Sequence, residues 1–301
     1  MPNDQDISGI YPMLYGLFDA DGAIDRDAMA KQVEAVVLSG AHGLAILGLA
    51  TEVGKLDTAE RRGLLDCVAQ AVNGRLPFAV TIAEPSVAGQ IAFGRAAAGA
   101  GAQWLILQPP PGGGATESDL LRFFGAVADG VELPVAIQNA PDFLGVGLSN
   151  QGLATLRRQH GNLSLLKAEG PATYLRQMIE DTEGAFRVFN GRAGIELTES
   201  LRAGCVGLIP GAETADAQAA IYDLVMAGDD EEAERRFREL LPLLLFLMES
   251  IRHLVCYGKR LAARRMDLGD IHDRAPAGKP STYGLALLDR LSAELGPMRT
   301  G

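Results

Sequence analysis

The 301-residue sequence predicts an α/β protein, a (β/α)8 TIM barrel followed by a C-terminal helical region. Between residues 9 and 226, short apolar runs alternate with amphipathic helical stretches at intervals of about 20 to 35 residues. Such runs are typical of parallel strands that helices cover on both faces. The first run is not followed by the GxGxxG turn of an open dinucleotide-binding sheet, and no long structureless connection interrupts the alternation. These observations favour a closed barrel.

The strands and helices of the barrel can be placed in order along the chain. Gly40 is suited to cap the first helix, and Asn73-Gly74 is suited to end the second. The predicted strands cover residues 9–14, 43–47, 77–82, 104–107, 134–138, 163–168, 186–190 and 204–209. The predicted helices cover residues 27–39, 58–72, 86–98, 117–131, 149–160, 172–180, 194–202 and 214–226.

The strand pattern ends after Met226, so we divide the chain into a barrel, residues 1–226, and a helical region, residues 227–301. The helical region is expected to pack on the barrel. It is predicted to contain one or two helices over residues 229–266 with Pro242 as a kink or junction, a loop over residues 269–280, and a last helix from near Tyr283 to Gly296-Pro297.

The charge and the cysteines argue against several classes of protein. A formal net charge of −11 disfavours nucleic-acid and anionic-membrane partners, which need a basic surface. The three cysteines have no CxxC spacing and the four histidines are dispersed, so neither a disulfide framework nor a metal site is expected. Residues 1–6 are too polar for a secretory signal, and the most apolar run, residues 240–248, is too short for a membrane span. We expect a cytoplasmic protein.

One lysine stands inside a predicted strand. Active sites of such barrels lie at the carboxyl ends of the strands, and Lys167 in the sixth apolar run would project into the top of the barrel. Burial favours the neutral amine, which can attack a carbonyl carbon. The alternative is a structural lysine paired with Glu169 or Glu52. Lys55, in a polar turn after the second strand, is the weaker candidate.

Three other strand ends carry candidate binding residues. Small residues after the second strand would expose backbone N–H groups to an anion, two amides end the fifth strand, and an arginine between glycines follows the seventh. Each segment also has a purely structural interpretation, which is, in the same order, a tight turn, an asparagine in a turn and a solvated arginine. The three segments are Gly48-Leu49-Ala50-Thr51-Glu52, Gln138-Asn139-Ala140-Pro141 and Asn190-Gly191-Arg192.

From residue 9 to about residue 262, these segments in this order resemble the dihydrodipicolinate synthase and N-acetylneuraminate lyase family of class I aldolases. The resemblance implies a barrel with a helical tail, no metal or organic cofactor, and a homo-oligomer, either a tetramer or a dimer. Lys167 falls where the family has its Schiff-base lysine. Residues 48–52 resemble the family's GTTGE segment, Asn139 with Pro141 its YNxP segment, and residues 205–210, which include Ile209, its G-x-I-S/P segment.

The sequence departs from the synthase pattern at its proton-relay hydroxyls. Leu49 and Ala50 replace the paired threonines, Gln138 replaces the strand-five tyrosine, and residues 109–111 are prolines where the family has a second tyrosine. An amide cannot shuttle protons as a phenol does. Phe143 stands near the position of the arginine that binds the second substrate. Synthesis of dihydrodipicolinate is therefore disfavoured.

The dehydratases of 2-oxo-3-deoxy sugar acids, the 2-oxo-3-deoxyarabonate type above all, resemble this chain more closely in three segments, Gln138-Asn139-Ala140-Pro141, Lys167-Ala168-Glu169 and Thr51-Glu52. The resemblance implies that Lys167 forms an iminium with a 2-oxo acid. Thr51, Glu52 and Glu169 are then expected to move protons through water held by Gln138 and Asn139. The expected substrate-binding residues are Gly48, Leu49, Ala50, Asn139, Gly191, Arg192 and Ile209.

Four alternatives share the barrel. A retro-aldol lyase would release pyruvate, a 4-hydroxy-tetrahydrodipicolinate synthase-like enzyme would condense it, and a deaminase of a hydroxyproline-derived imino acid would release ammonia. A paralogue without catalytic activity would keep the barrel for ligand binding. A metal-dependent aldolase is disfavoured because the sequence has no His/Asp/Glu cluster.

Overall fold

The computed structural model describes residues 4–112 and 114–298. Its eight strands are all parallel and are paired in the order β1-β8-β7-β6-β5-β4-β3-β2. Their bounds are β1 Gly9–Ile10, β2 Leu44–Ile46, β3 Phe78–Ile82, β4 Trp104–Leu107, β5 Val135–Asn139, β6 Leu165–Ala168, β7 Arg187–Asn190 and β8 Gly207–Leu208.

Backbone hydrogen bonds close the sheet between its two ends. The N–H of Ala45 in β2 donates to Pro12 O at 2.9 Å, and the N–H of Leu14 donates to Ala45 O at 2.9 Å. Met13 also makes bridges to Ala45 and to Gly211. The predicted (β/α)8 TIM barrel with C-terminal helices is confirmed.

The first and last strands are shorter than the sequence predicted. We expected residues 9–14 and 204–209, and the regular pairing covers only Gly9–Ile10 and Gly207–Leu208. Pro12 and Pro210 explain the difference, because a proline has no N–H to donate to the neighbouring strand. The chain continues along the barrel there through single bridges.

The helices follow the predicted alternation, with two differences. The predicted helix over residues 194–202 is divided into a 3-10 turn, Arg192–Gly194, and a short helix, and one further short helix follows β5. Capping boxes begin two of the longer helices, formed by Asp57 with Glu60 and by Thr116 with Asp119. The helices of the barrel are α1 Arg26–Val37, α2 Thr58–Val72, α3 Val87–Gly99, α4 Glu117–Asp129, α5 Pro141–Leu144, α6 Asn150–Gln159, α7 Ala172–Asp181, α8 Leu197–Arg202 and α9 Ala215–Ala227.

The C-terminal region is helical, and the break after its first helix lies later in the chain than the sequence predicted. Helix α10, Asp230–Leu247, passes through Pro242, and the chain turns only before Ile251. Among the described residues, no single helix is long and apolar enough to span a membrane. Two consecutive helical segments, Asp230–Leu247 and Ile251–Met266, reach that length and apolar composition only when taken together, and a 99° bend separates them. The remaining segments are α11 Ile251–His253, a π-helical turn Leu254–Gly258, α12 Lys259–Met266 and α13 Thr282–Leu291.

An aromatic cluster fills the interior of the barrel. The rings of Trp104 and Phe189 stack with centroids 5.1 Å apart, and Tyr11 meets Trp104 edge-on at 5.4 Å. These residues come from β4, β7 and the segment after β1, which are not neighbours in the sheet. Their rings can therefore meet only across the barrel. This packing leaves the carboxyl ends of the strands as the place for a pocket.

Candidate active site

Lys167 lies near the carboxyl end of β6, paired with Gln138 of β5 and Phe189 of β7. Its side chain is 8% exposed, and its ammonium group contacts the carboxylate of Glu169, which is 3% exposed. A charged amine at this depth is stable only beside an opposite charge. The residue that the sequence singled out as a nucleophile is thus a buried amine paired with one carboxylate.

A pocket opens beside Lys167. Seven of the site residues expected from the sequence line it: Lys167, Glu169, Leu49, Ala50, Gly191, Arg192 and Ile209. The sequence did not indicate the remaining lining residues, which are Met13, Ala193, Pro210 and Gly211 from the barrel and Met248, Ile251 and Leu254 from the C-terminal region.

The other expected residues do not line this pocket. Gly48 packs on Met13, since a Cβ at Gly48 would lie 2.5 Å from Met13 Cε. The Thr51 hydroxyl donates to Leu14 O at 2.6 Å. Asn139 donates to Leu148 O at 3.1 Å and accepts from Leu148 N–H at 2.8 Å, so its amide holds the loop that follows α5.

Glu52 is held between two lysines. Its carboxylate contacts the ammonium groups of Lys55 and Lys259, and its backbone has a left-handed φ of 60°. Lys259 begins α12 and is 1% exposed. Burial lowers the pKa of Lys259, although contact with Glu52 acts to raise it. The cluster fastens the C-terminal region to the loop after β2, a connection that the sequence pattern did not reveal.

Gly191 and Arg192 shape the pocket beside Glu169. A Cβ at Gly191 would lie 2.8 Å from Glu169 Cδ, so only glycine leaves room for that carboxylate. Arg192 is 26% exposed and donates to Glu196 at 2.9 Å. The arginine that was expected to bind the substrate therefore already has an acidic partner.

A second buried pair lies beneath the pocket floor. The Tyr15 hydroxyl donates to Glu213 Oε2 at 2.7 Å, and both residues are fully buried. A Cβ at Gly211, which lines the pocket, would lie 2.2 Å from that carboxylate oxygen. Burial raises the pKa of Glu213, because a charged carboxylate is poorly solvated there.

The raised pKa of Glu213 makes stability depend on pH. Between the ordinary pKa of a glutamate and this raised pKa, Glu213 is protonated in the folded state and ionised in the unfolded state. The free energy of unfolding therefore falls as the pH rises through that window, with a limiting slope of about 1.4 kcal/mol per pH unit. Glu213→Gln keeps the acceptor for Tyr15 and removes the titration. We expect a smaller loss of stability from pH 5 to pH 8 in this variant, measured by urea unfolding. Equal slopes in the two proteins would contradict the assignment.

Within residues 4–112 and 114–298, no group of three or more His, Cys, Asp or Glu side chains could hold a metal ion. Cys67, Cys205 and Cys256 are free and buried. What the pocket offers chemically is an amine, an adjacent carboxylate and an arginine in an otherwise apolar lining.

A parallel barrel with a pocket at the carboxyl ends of its strands has the arrangement that barrel enzymes use for their active sites. The sequence matches the model of the dihydrodipicolinate synthetase family over residues 6–280, and the chain therefore belongs to that family. The chain is accordingly a lyase, as its relatives' names indicate. The family resemblance seen in the sequence is confirmed.

Several family members are about equally similar to this chain. An L-2-keto-3-deoxyarabonate dehydratase of Azospirillum brasilense is 29% identical over 243 residues, 78% of each chain. A 4-hydroxy-tetrahydrodipicolinate synthase of Stenotrophomonas maltophilia is 26% identical and covers 95% of this chain and 99% of its own length. The structure of YagE from Escherichia coli K12, solved in complex with pyruvate, has a TM-score of 0.87 and 25% identity, and the match covers 96% of this chain and 98% of that one.

Proposed function

We propose that this lyase binds a 2-oxo acid as a Schiff base on Lys167 and dehydrates a short 2-oxo-3-deoxy acid of the 2-oxo-3-deoxyarabonate type. The observation that carries the proposal is the buried amine of Lys167, which faces the pocket with the Glu169 carboxylate beside it. The similarity to the Azospirillum dehydratase supports the choice of substrate.

Glu169 is suited to move the protons of Schiff-base formation. It takes one proton from the Lys167 ammonium, and the neutral amine adds to the C2 carbonyl of the substrate. After the nitrogen passes a proton to the former carbonyl oxygen, Glu169 returns its proton as that hydroxyl leaves as water. The net change joins the amine to the ketone as an iminium and releases one water. Of the three proton carriers expected from the sequence, Glu169 lines the pocket, and Thr51 and Glu52 have partners elsewhere.

The iminium acts as an electron sink for the dehydration. Loss of a C3 proton gives an enamine, which expels the C4 hydroxyl as water when that hydroxyl is protonated. In a five-carbon substrate, C5 then loses a proton from carbon and one from its hydroxyl, while C3 and C4 each gain a proton, so that the C5 alcohol becomes an aldehyde. Hydrolysis of the iminium frees Lys167 and a five-carbon semialdehyde.

The lining of the pocket favours a substrate with few hydroxyl groups. Leu49 and Ala50 line the pocket, and we expect backbone N–H groups near them to bind the C1 carboxylate. The C-terminal region contributes three apolar side chains, which offer no hydrogen bonds to a long polyol: Met248, Ile251 and Leu254. Arg192 is the polar side chain left for a distal hydroxyl. A five-carbon acid fits this arrangement better than a longer sugar acid.

A retro-aldol lyase that releases pyruvate is the second candidate. The observation that favours it is the similarity to the Escherichia coli protein whose structure contains pyruvate. The two reactions share the iminium and differ in the bond that breaks, which is C4–O in the dehydration and C3–C4 in the cleavage.

Borohydride trapping tests the proposal on the wild-type protein. The protein is incubated with pyruvate or with 2-oxo-3-deoxy acids of five and six carbons, reduced, and weighed by intact mass spectrometry. We expect a mass increase equal to the reduced adduct, and peptide mapping should place it on Lys167. A five-carbon product identifies a dehydratase, and pyruvate a retro-aldol lyase. An unchanged protein mass with every acid would refute the Schiff base.

A further inference from the structure

A row of polar side chains crosses the carboxyl ends of three neighbouring strands. Gln108, which follows β4, donates through Nε2 to Gln138 Oε1 at 3.0 Å. Gln138 in β5 donates through Nε2 to Glu169 Oε1 at 2.7 Å, and Glu169 contacts the Lys167 ammonium. Gln108, Gln138 and Glu169 are 6%, 2% and 6% exposed. The two amides therefore form a continuous, nearly buried path to the reactive amine.

The direction of every hydrogen bond in this row follows from the carboxylate at its end. An ionised Glu169 can only accept, so Gln138 must turn its NH2 group toward it. The oxygen of Gln138 then points away and needs a donor, which the NH2 group of Gln108 supplies. Without that donor, the Gln138 amide could rotate and present its oxygen to Glu169, which would disfavour the carboxylate.

The backbone of Gln108 is fixed from both sides. Its N–H donates to Ile82 O at 3.0 Å, and its carbonyl accepts from Gln90 Nε2 at 2.9 Å. Leu107 is paired with Ile137, so the next residue along each strand places Gln108 beside Gln138. Gln108 is absent from the pocket lining. Its side chain is connected to the pocket residue Glu169 through the hydrogen bonds of Gln138.

We propose that Gln108 is a positioning residue of this lyase, which fixes the orientation of the Gln138 amide so that Glu169 stays an acceptor for the proton of Lys167. The inference rests on the proposed function, because it concerns the step in which Lys167 becomes a neutral amine. Gln138 and Glu169 were expected from the sequence to act in the site, and Gln108 was not.

The test uses Gln108→Met, which keeps the length of the side chain and removes the donor. We expect the rate constant for iminium formation with pyruvate, followed by timed borohydride quenching, to fall about tenfold, as for loss of a hydrogen bond in a charged network. The pyruvate concentration for half-saturation should stay within about twofold, because Gln108 does not contact the pocket. Gln151→Met, on the exposed surface of α6, is the matched control.

A double variant separates positioning from general destabilisation. If Gln108 acts through Gln138, adding Gln108→Met to Gln138→Met should change the rate by less than about twofold, because the amide to be oriented is already gone. A further tenfold loss in the double variant, or an unchanged rate in Gln108→Met alone, would overturn the inference.

A measurement without substrate tests the positioning role of Gln108 separately from the proposed Schiff base on Lys167. The side-chain carboxyl 13C resonance of Glu169, assigned by its loss in Glu169→Gln, should move in ligand-free Gln108→Met and stay in place in Gln151→Met. An unmoved resonance overturns the role of Gln108 even if the wild-type protein forms an iminium. A moved resonance with no iminium on wild-type Lys167 supports the contact and refutes the proposed function. If Gln108→Met folds poorly, as judged by its melting temperature, Gln108→Leu replaces it in both measurements.

Discussion

Replacing Lys167 should abolish covalent trapping of every 2-oxo acid and lower turnover by roughly 10⁴- to 10⁶-fold, the range seen when a catalytic nucleophile is removed. The informative variant is Lys167→Arg. A guanidinium stays protonated and can still pair with Glu169, yet it offers no neutral amine to a ketone. Lys167→Ala instead leaves the Glu169 carboxylate without its cation, so a loss of activity in that variant mixes chemistry with instability. Both variants are measured by intact mass after borohydride reduction and, separately, by steady-state turnover.

Lys279→Ala is the matched control for these lysine variants. Lys279 is exposed in the segment before α13, far along the chain from the strands that carry the pocket. We expect wild-type trapping and turnover from it. Trapping that persists in both Lys167 variants would place the reactive amine elsewhere and would exclude Lys167 as the nucleophile.

The sequence predicted the barrel because its signals are local. An apolar run buried on both faces and an amphipathic helix can each be recognised within about 15 residues. Lys167 was found in the same way, as a charged residue inside an apolar run. The errors in strand length also have a local cause, since Pro12 and Pro210 end the regular pairing of β1 and β8.

The parts of the site that sequence patterns missed depend on contacts between distant segments. Leu254 and Lys259 belong to the C-terminal region, and no local pattern tells which face of its helices meets the barrel. The π-helical turn just before Lys259 is equally invisible in the sequence. Gln108 did leave a signal, since it is a polar residue at a strand end like Gln138. Its link to the site could be recognised only from the pairing of β4 with β5, which places Gln108 beside Gln138.

Lys259→Met should destabilise the protein by about 3 kcal/mol, measured by urea unfolding. Removing one partner of a buried ion pair costs about 3–5 kcal/mol because the other charge stays buried, and we expect the lower end because Lys55 still contacts Glu52. Burial lowers the pKa of Lys259 despite the carboxylate beside it, so the attraction offsets only part of the cost of desolvating the ammonium. The pair is therefore sensitive to loss of one member and replaceable as a whole.

A second variant tests whether the buried charge of Glu52 causes this loss of stability. Glu52→Gln with Lys259→Met removes both charges of the pair. The partly exposed Lys55 loses its carboxylate but keeps its hydrogen bond to Arg274 O, so the double variant should recover more than half of the stability that Lys259→Met loses. Lys279→Met, the same change at an exposed site, should alter the unfolding free energy by less than about 0.5 kcal/mol. A double variant no more stable than Lys259→Met would contradict this explanation, and the contact of the Lys259 ammonium with the Phe18 ring, 5.2 Å from its centroid, would then be the next interaction to test. Recovery would instead show that the loss in Lys259→Met comes from the Glu52 carboxylate that is left buried without this partner.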